Sequence, residues 1–125
     1  MNHKPAHEIE NKIEKIIAQR FTSSSMSDSK WRKVFVFLFT PELGLSGCRW
    51  KFVDDERVFQ TGLPRADDLA ESHLLDGSYQ PFVYKDIEWI EVASSNVDDI
   101  LAGLERVGHF DVKSVVGGMR IYGYR

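Results

Sequence analysis

A chain of 125 residues with a net charge of -3 has the length of one domain, and its overall charge lacks the positive field that a dedicated nucleic-acid binder needs. Hydrophobic residues at 42% and charged residues at 28% exclude a disordered or fibrous chain. A single cysteine, Cys48, excludes an intrachain disulfide.

The longest strictly apolar run, residues 34–39, is far shorter than the roughly 20 residues that cross a bilayer. The polar opening MNHKPAHEIENKIEK has no apolar h-region of a signal peptide. With the lone cysteine, these features point to the cytoplasm and away from a membrane.

In chain order, residues 1–7 are polar and read as a frayed end. Residues 8–21 place Ile9, Ile13, Ile16, Ile17 and Phe21 on one helical stripe, with Glu8 and Lys12 as an i,i+4 pair. Such a helix either packs on its own domain, the preferred reading, or joins a partner, including a second copy in a homodimer. The Ser-rich stretch TSSSMSDS follows as a flexible joint. The chain therefore divides into an extension, residues 1–26, and a single domain, residues 27–125.

Asp28 or Ser29 can cap a second helix, with Trp31, Val34, Phe35 and Leu38 on its inner face. The run 34–39 also suits a buried strand; the helix is preferred, and Pro41 ends either element. Residues 48–53 alternate Cys48, Trp50 and Phe52 against Arg49 and Lys51, the pattern of a half-buried strand. Asp54, Asp55 and Glu56 then turn the chain into a partner strand at residues 57–60. Residues 62–81 are irregular, with room for a short helix over residues 66–75.

Residues 82–92, FVYKDIEWIEV, read as the central strand. Alternation sends Ile87 and Trp89 to one face and Ile90 and Val92 to the other, as befits an interior strand. Ser94, Ser95 and Asn96 offer caps for a third helix with a core stripe of Val97, Ile100, Leu101, Leu104 and Val107, stopped at Gly108. Strands at residues 111–116 and 119–124 then fold about a Gly117-Gly118 turn. The expected class is α+β: a single mixed or antiparallel sheet of about five strands, with about three helices packed mainly on one face.

Chemistry-bearing clusters are sparse. His3 and His7 share a helical spacing in a fraying tip, and neither HExxH nor CxxC occurs, so no metal or cofactor is expected. Cys48 could serve as a nucleophile with His73 or His109, but a small buried side chain is the preferred reading, and no catalytic residue is assigned. Asp86 and Glu88 would share a strand face about 7 Å apart, with Glu91 on the other face unless a bulge intervenes. With Trp89 and His73 they form the candidate ligand site of a small-molecule-binding domain or minor enzyme. Lys30, Arg32, Lys33, Arg49 and Lys51 around Trp31 and Trp50 could bind single-stranded nucleic acid, though a solvated face is preferred. Asp54, Asp55, Glu56, Asp67 and Asp68 belong to an acidic stretch that could steer a basic protein partner.

The motifs SDSKW at residues 27–31, CRWKF at 48–52, IEWIEV at 87–92 and IYGYR at 121–125 together resemble a family of small bacterial proteins of unknown function. Members begin near an SKW-like motif and end near a YGY-like one. The resemblance covers residues 27–125, leaves the first helix outside, and implies a bacterial, cytoplasmic origin. It supplies no activity or site, and residues 62–81 are longer than the family's pattern. The expected function is a non-catalytic protein-binding module, for which immunity proteins of bacterial toxin systems are one example.

Overall fold

A computed structural model describes residues 6–24, 26–40, 43, 45, 47–62, 73–74 and 82–125. Among these, three helices and an antiparallel five-stranded sheet make an α+β fold. The helices are α1 (Ala6–Arg20), α2 (Asp28–Leu38) and α3 (Val97–Val107). The strands are β1 (Cys48–Phe52), β2 (Val58–Thr61), β3 (His73–Leu74), β4 (Phe82–Val83), β5 (Ile87–Ala93), β6 (Asp111–Val115) and β7 (Gly118–Tyr122). The main sheet runs β2-β1-β5-β7-β6, and β3 pairs with β4 separately.

The run 34–39 is helical as far as Leu38. Its apolar residues follow a stripe: Trp31, Val34, Phe35 and Leu38 are buried while Val36 is exposed, which a strand could not arrange. Ser27, rather than Asp28 or Ser29, caps α2, its hydroxyl accepting from the Lys30 N–H at 3.2 Å. Phe35 is the hub of an aromatic chain, with ring centroids 5.4 Å from Trp31, 5.2 Å from Phe39, 5.5 Å from Trp50 and 5.7 Å from Tyr84. Side chains of α2 and α3 share one core cluster with Cys48, Trp50, Ile90, Val92, Met119 and Ile121 of the sheet. These strand residues define the inner face.

Three expectations change. The central strand is shorter than residues 82–92: β4 is followed by a 3-10 turn, Tyr84–Asp86, before β5 begins at Ile87. Tyr84 is fully buried in that turn and packs on Phe35, which favours a bend over a continuous strand. The expected helix over residues 66–75 is overturned at its end, where His73 and Leu74 pair as a strand with Val83 and Phe82; residues 66–72 and 75 lie outside the described residues. The last hairpin turns at Val116 and Gly117, not at two glycines. Only Gly117 has a positive φ, 78°, while Gly118 is in β7, where a Cβ would strike the Val92 carbonyl of β5.

The decisive irregularity is in the pairing of β1 with β5. Trp50 pairs with Ile90 and Lys51 with Trp89, but Phe52 pairs with Ile87, so Glu88 is an extra residue and β5 is bulged. Ile87 is thereby turned into the core beside Ile90 and Val92, while Trp89 lies on the opposite, outer face. The bulge is fixed from β7's side: the N–H groups of Gly123 and Tyr124 both donate to the Glu88 carbonyl, at 2.7 and 3.2 Å.

Candidate functional site

Strand alternation places Arg49 and Lys51 of β1 opposite the core-facing Cys48 and Trp50, on the outer face. Register then fixes two rows across five strands. One runs Gln60, Arg49, Glu91, Arg120, Lys113; the other runs Val58, Lys51, Trp89, Tyr122, Asp111. Neighbouring members of a row sit close enough to pair.

The bulge adds Glu88 to this face. Its carboxylate is 3.1 Å from Lys51 Nζ and 3.9 Å from the Arg20 guanidinium, and the side chains of Glu88 and Lys51 are only 14% and 13% exposed. Arg20 also donates to the Val53 carbonyl at 3.0 Å, which brings the C-terminal end of α1 to the bulge. Glu91 is more deeply set, at 11%. One of its oxygens accepts from Nε and Nη2 of Arg120 at 3.3 and 3.1 Å; the other lies 3.7 Å from Arg49, within Coulombic reach but beyond a hydrogen bond.

Arg120 is consequently immobilised over an aromatic floor. Its guanidinium carbon lies 4.0 Å from the Trp89 ring centroid and 5.7 Å from that of Tyr122, cation–π contacts of about 1–2 kcal/mol where partly desolvated. Desolvation draws the Arg120 pKa down, but the hydrogen bonds to the Tyr122 hydroxyl and Glu91 outweigh it and raise the value overall. Arg125 covers the same Tyr122 ring at 4.2 Å and bonds Asp111 at 2.7 Å.

The expected sharing of one strand face by Asp86 and Glu88 does not occur. Asp86 lies in the 3-10 turn, outside β5, so strand alternation does not set it beside Glu88. Glu88 instead joins Glu91 on one face, the arrangement that only a bulge permits. Trp89 serves as the floor for Arg120. His73 contributes backbone to β3, and its side chain lies outside the described residues.

Of the expected partner residues, Asp54 and Glu56 are exposed on the β1–β2 turn. Asp55 is bound by Arg57, whose side-chain and backbone hydrogen bonds lower its carboxyl to about 2. Asp67 and Asp68 lie outside the described residues. Trp31 and Trp50 are both in the core, so neither ring is open to stack on a base. Cys48 is buried beside Val92, and burial, with Glu91 adding, pushes its thiol far above the ordinary range, the behaviour of a packing residue.

Among the described residues, no three His, Cys, Asp or Glu side chains are grouped to hold a metal, and no helix is long and apolar enough to cross a membrane. Sequence reasoning missed Arg120, Tyr122 and Arg125; the signal for the first two was their every-second-residue spacing about the apolar Ile121 in RIYGYR. Compared with models of protein families, with curated proteins and with solved structures, the chain matches none.

Proposed function

We propose that this chain is a non-catalytic, cytoplasmic protein-binding domain whose working surface is the outer face of the five-stranded sheet. The observation that carries this reading is Arg120, locked by Glu91 and stacked on Trp89, yet with 28% of its side chain exposed. Arginine and aromatic side chains held in their bound geometry lose little freedom on association and dominate binding energy at protein interfaces. Glu88 and Glu91 are engaged by cations and act as organisers of that surface, a poor use of carboxylates in acid–base chemistry. The exposed Asp54 and Glu56 offer a second, acidic surface for steering a partner's approach. A small acidic chain of this build fits the role of an immunity protein.

The test is affinity capture with the tagged full chain from its source organism, followed by reconstitution of the purified components and native mass spectrometry. One protein rebinding at fixed stoichiometry is the expected result. A chain that captures no protein, or that carries a bound small molecule or turns one over, contradicts it.

A further inference from the structure

The two rows of the outer face differ in access. Trp89 and Lys51 of one row, with the bulge residue Glu88 beside them, are largely covered, and α1 ends there through Arg20; Val58 at that row's edge is exposed. The other row is more open at its flanks: Gln60 and Lys113 are exposed and the Arg49 side chain is 57% exposed, with Arg120 at 28% and Glu91 at 11% between them. That row holds three cations, Arg49, Arg120 and Lys113, against one carboxylate, Glu91, in a chain whose net charge is -3. On its far side the next register positions are Ala93, which is exposed, Gly118, which is buried, and Val115, which is half-buried.

We propose that this row docks an acidic segment of a partner protein, its carboxylates on Arg49, Arg120 and Lys113 and its backbone passing beside the exposed Ala93. The inference rests on the reading of the domain as a protein-binding module and names the chemistry of the partner. Charge complementarity selects the occupant. Strands about 4.8 Å apart set the row's cations about 5 Å apart between β7 and β6 and about 10 Å apart between β1 and β7. An extended segment presents alternate side chains about 7 Å apart, a mismatch that long arginine and lysine side chains absorb. Glu91 does not cancel the row, because it holds Arg120 through Nε and Nη2 on one oxygen and leaves Nη1 directed to the Tyr122 hydroxyl at the hydrogen-bond limit of 3.5 Å. The residual field is positive, and the arginine is already in place.

The probe is a fluorescently labelled peptide of alternating Glu and Thr, titrated by anisotropy with the full chain at low and at high salt. A Lys–Thr peptide and a single-stranded oligothymidylate serve as competitors. Amide chemical shifts map where the probe binds. The expected result is salt-sensitive binding of the acidic peptide, with shifts centred on residues 49, 91, 93, 113, 115, 118 and 120. The double variant Arg49→Glu, Lys113→Glu changes two side chains outside the core and is checked by its melting curve; it should weaken binding about tenfold or more. Absence of binding, undiminished binding by the folded variant, shifts on another face, or equal competition by the oligonucleotide overturns the proposal. If a captured protein binds wild type and double variant equally, the acidic-segment inference falls while the module reading stands; if no protein is captured, the module reading itself falls.

Discussion

The carboxylate of Glu91 sits between arginines from the strands on either side and sets the position of the more buried one. Removing its charge leaves Arg120 on Trp89 without an anion, in a site where desolvation is incomplete but real. The Glu91→Gln variant keeps the shape and is expected to lose about 2 kcal/mol of stability in urea unfolding; an unchanged midpoint contradicts the role assigned here. At the other end of the sheet, the Tyr124 hydroxyl donates to the Lys85 carbonyl at 2.8 Å. Desolvation by burial, then the charges of Asp86 and Asp28, raise its pKa above the ordinary 10.0. A raised pKa means that Tyr124 contributes its full stability below pH 10 and loses it as pH rises through the folded-state value, where the unfolded chain has already released the proton. Tyr124→Phe should therefore cost at most about 1 kcal/mol near neutral pH, with the gap to wild type narrowing in melts taken above pH 10. The sequence showed that Glu88, Trp89 and Glu91 were notable, but not their partners: Arg120 is 29 residues from Glu91 and Lys51 is 37 from Glu88. Only strand register could join them.

The bulge in β5 is the element on which the outer face depends, since it carries Glu88 to the side of Glu91 and turns Ile87 inward. Its trace was present in the sequence. Ile87, Trp89, Ile90 and Val92 break strict alternation, a pattern equally open to a strand apolar on both faces. α1 and α3 could be read directly, because their stripes repeat locally and need no knowledge of distant partners; α2 was open to a buried strand because residues 34–39 are apolar without a break. The 3-10 turn over Tyr84–Asp86 could not, because burial of Tyr84 against Phe35 is a tertiary effect. Gly123 shows how tightly the bulge is held: a Cβ there would strike the Ile87 carbonyl and approach the Trp31 ring to 3.1 Å. Gly123→Ala is expected to cost about 2–3 kcal/mol and to perturb the amide signals of residues 87–89; a variant as stable as wild type, with those signals unmoved, refutes the close packing of β7 on the bulge.

Across the whole molecule, the same strands supply the core and the outer face on alternate residues, while α2 and α3 add to the core. The core cluster draws on residues from Trp31 onward, with Met26 at its edge. The stretch after α1 is tied to the opposite end, Thr22 and Ser23 N–H groups donating to the Arg125 carbonyl at 3.0 and 3.2 Å, and the Arg125 N–H to the Ser23 carbonyl at 3.2 Å. A shortened chain beginning at Met26 should still fold cooperatively but melt several degrees lower, having lost these bonds, the burial of Ile13 and the clasp of Arg20 on Val53 and Glu88. An unfolded short chain would mean that the domain cannot fold without α1. Composition revealed the acidic balance of the chain but not its segregation, because the cations of the outer face lie in separate segments that only the sheet order brings together. The most direct test of the account is the affinity of the captured, purified partner for wild type and for Arg120→Lys, measured by calorimetry. Lysine keeps the charge but neither stacks in the same way nor donates through a fixed fork. A tenfold or greater weakening, with the variant still folded at the assay temperature, is expected if Arg120 is an anchor of the interface; equal affinity would place the binding surface elsewhere on the domain.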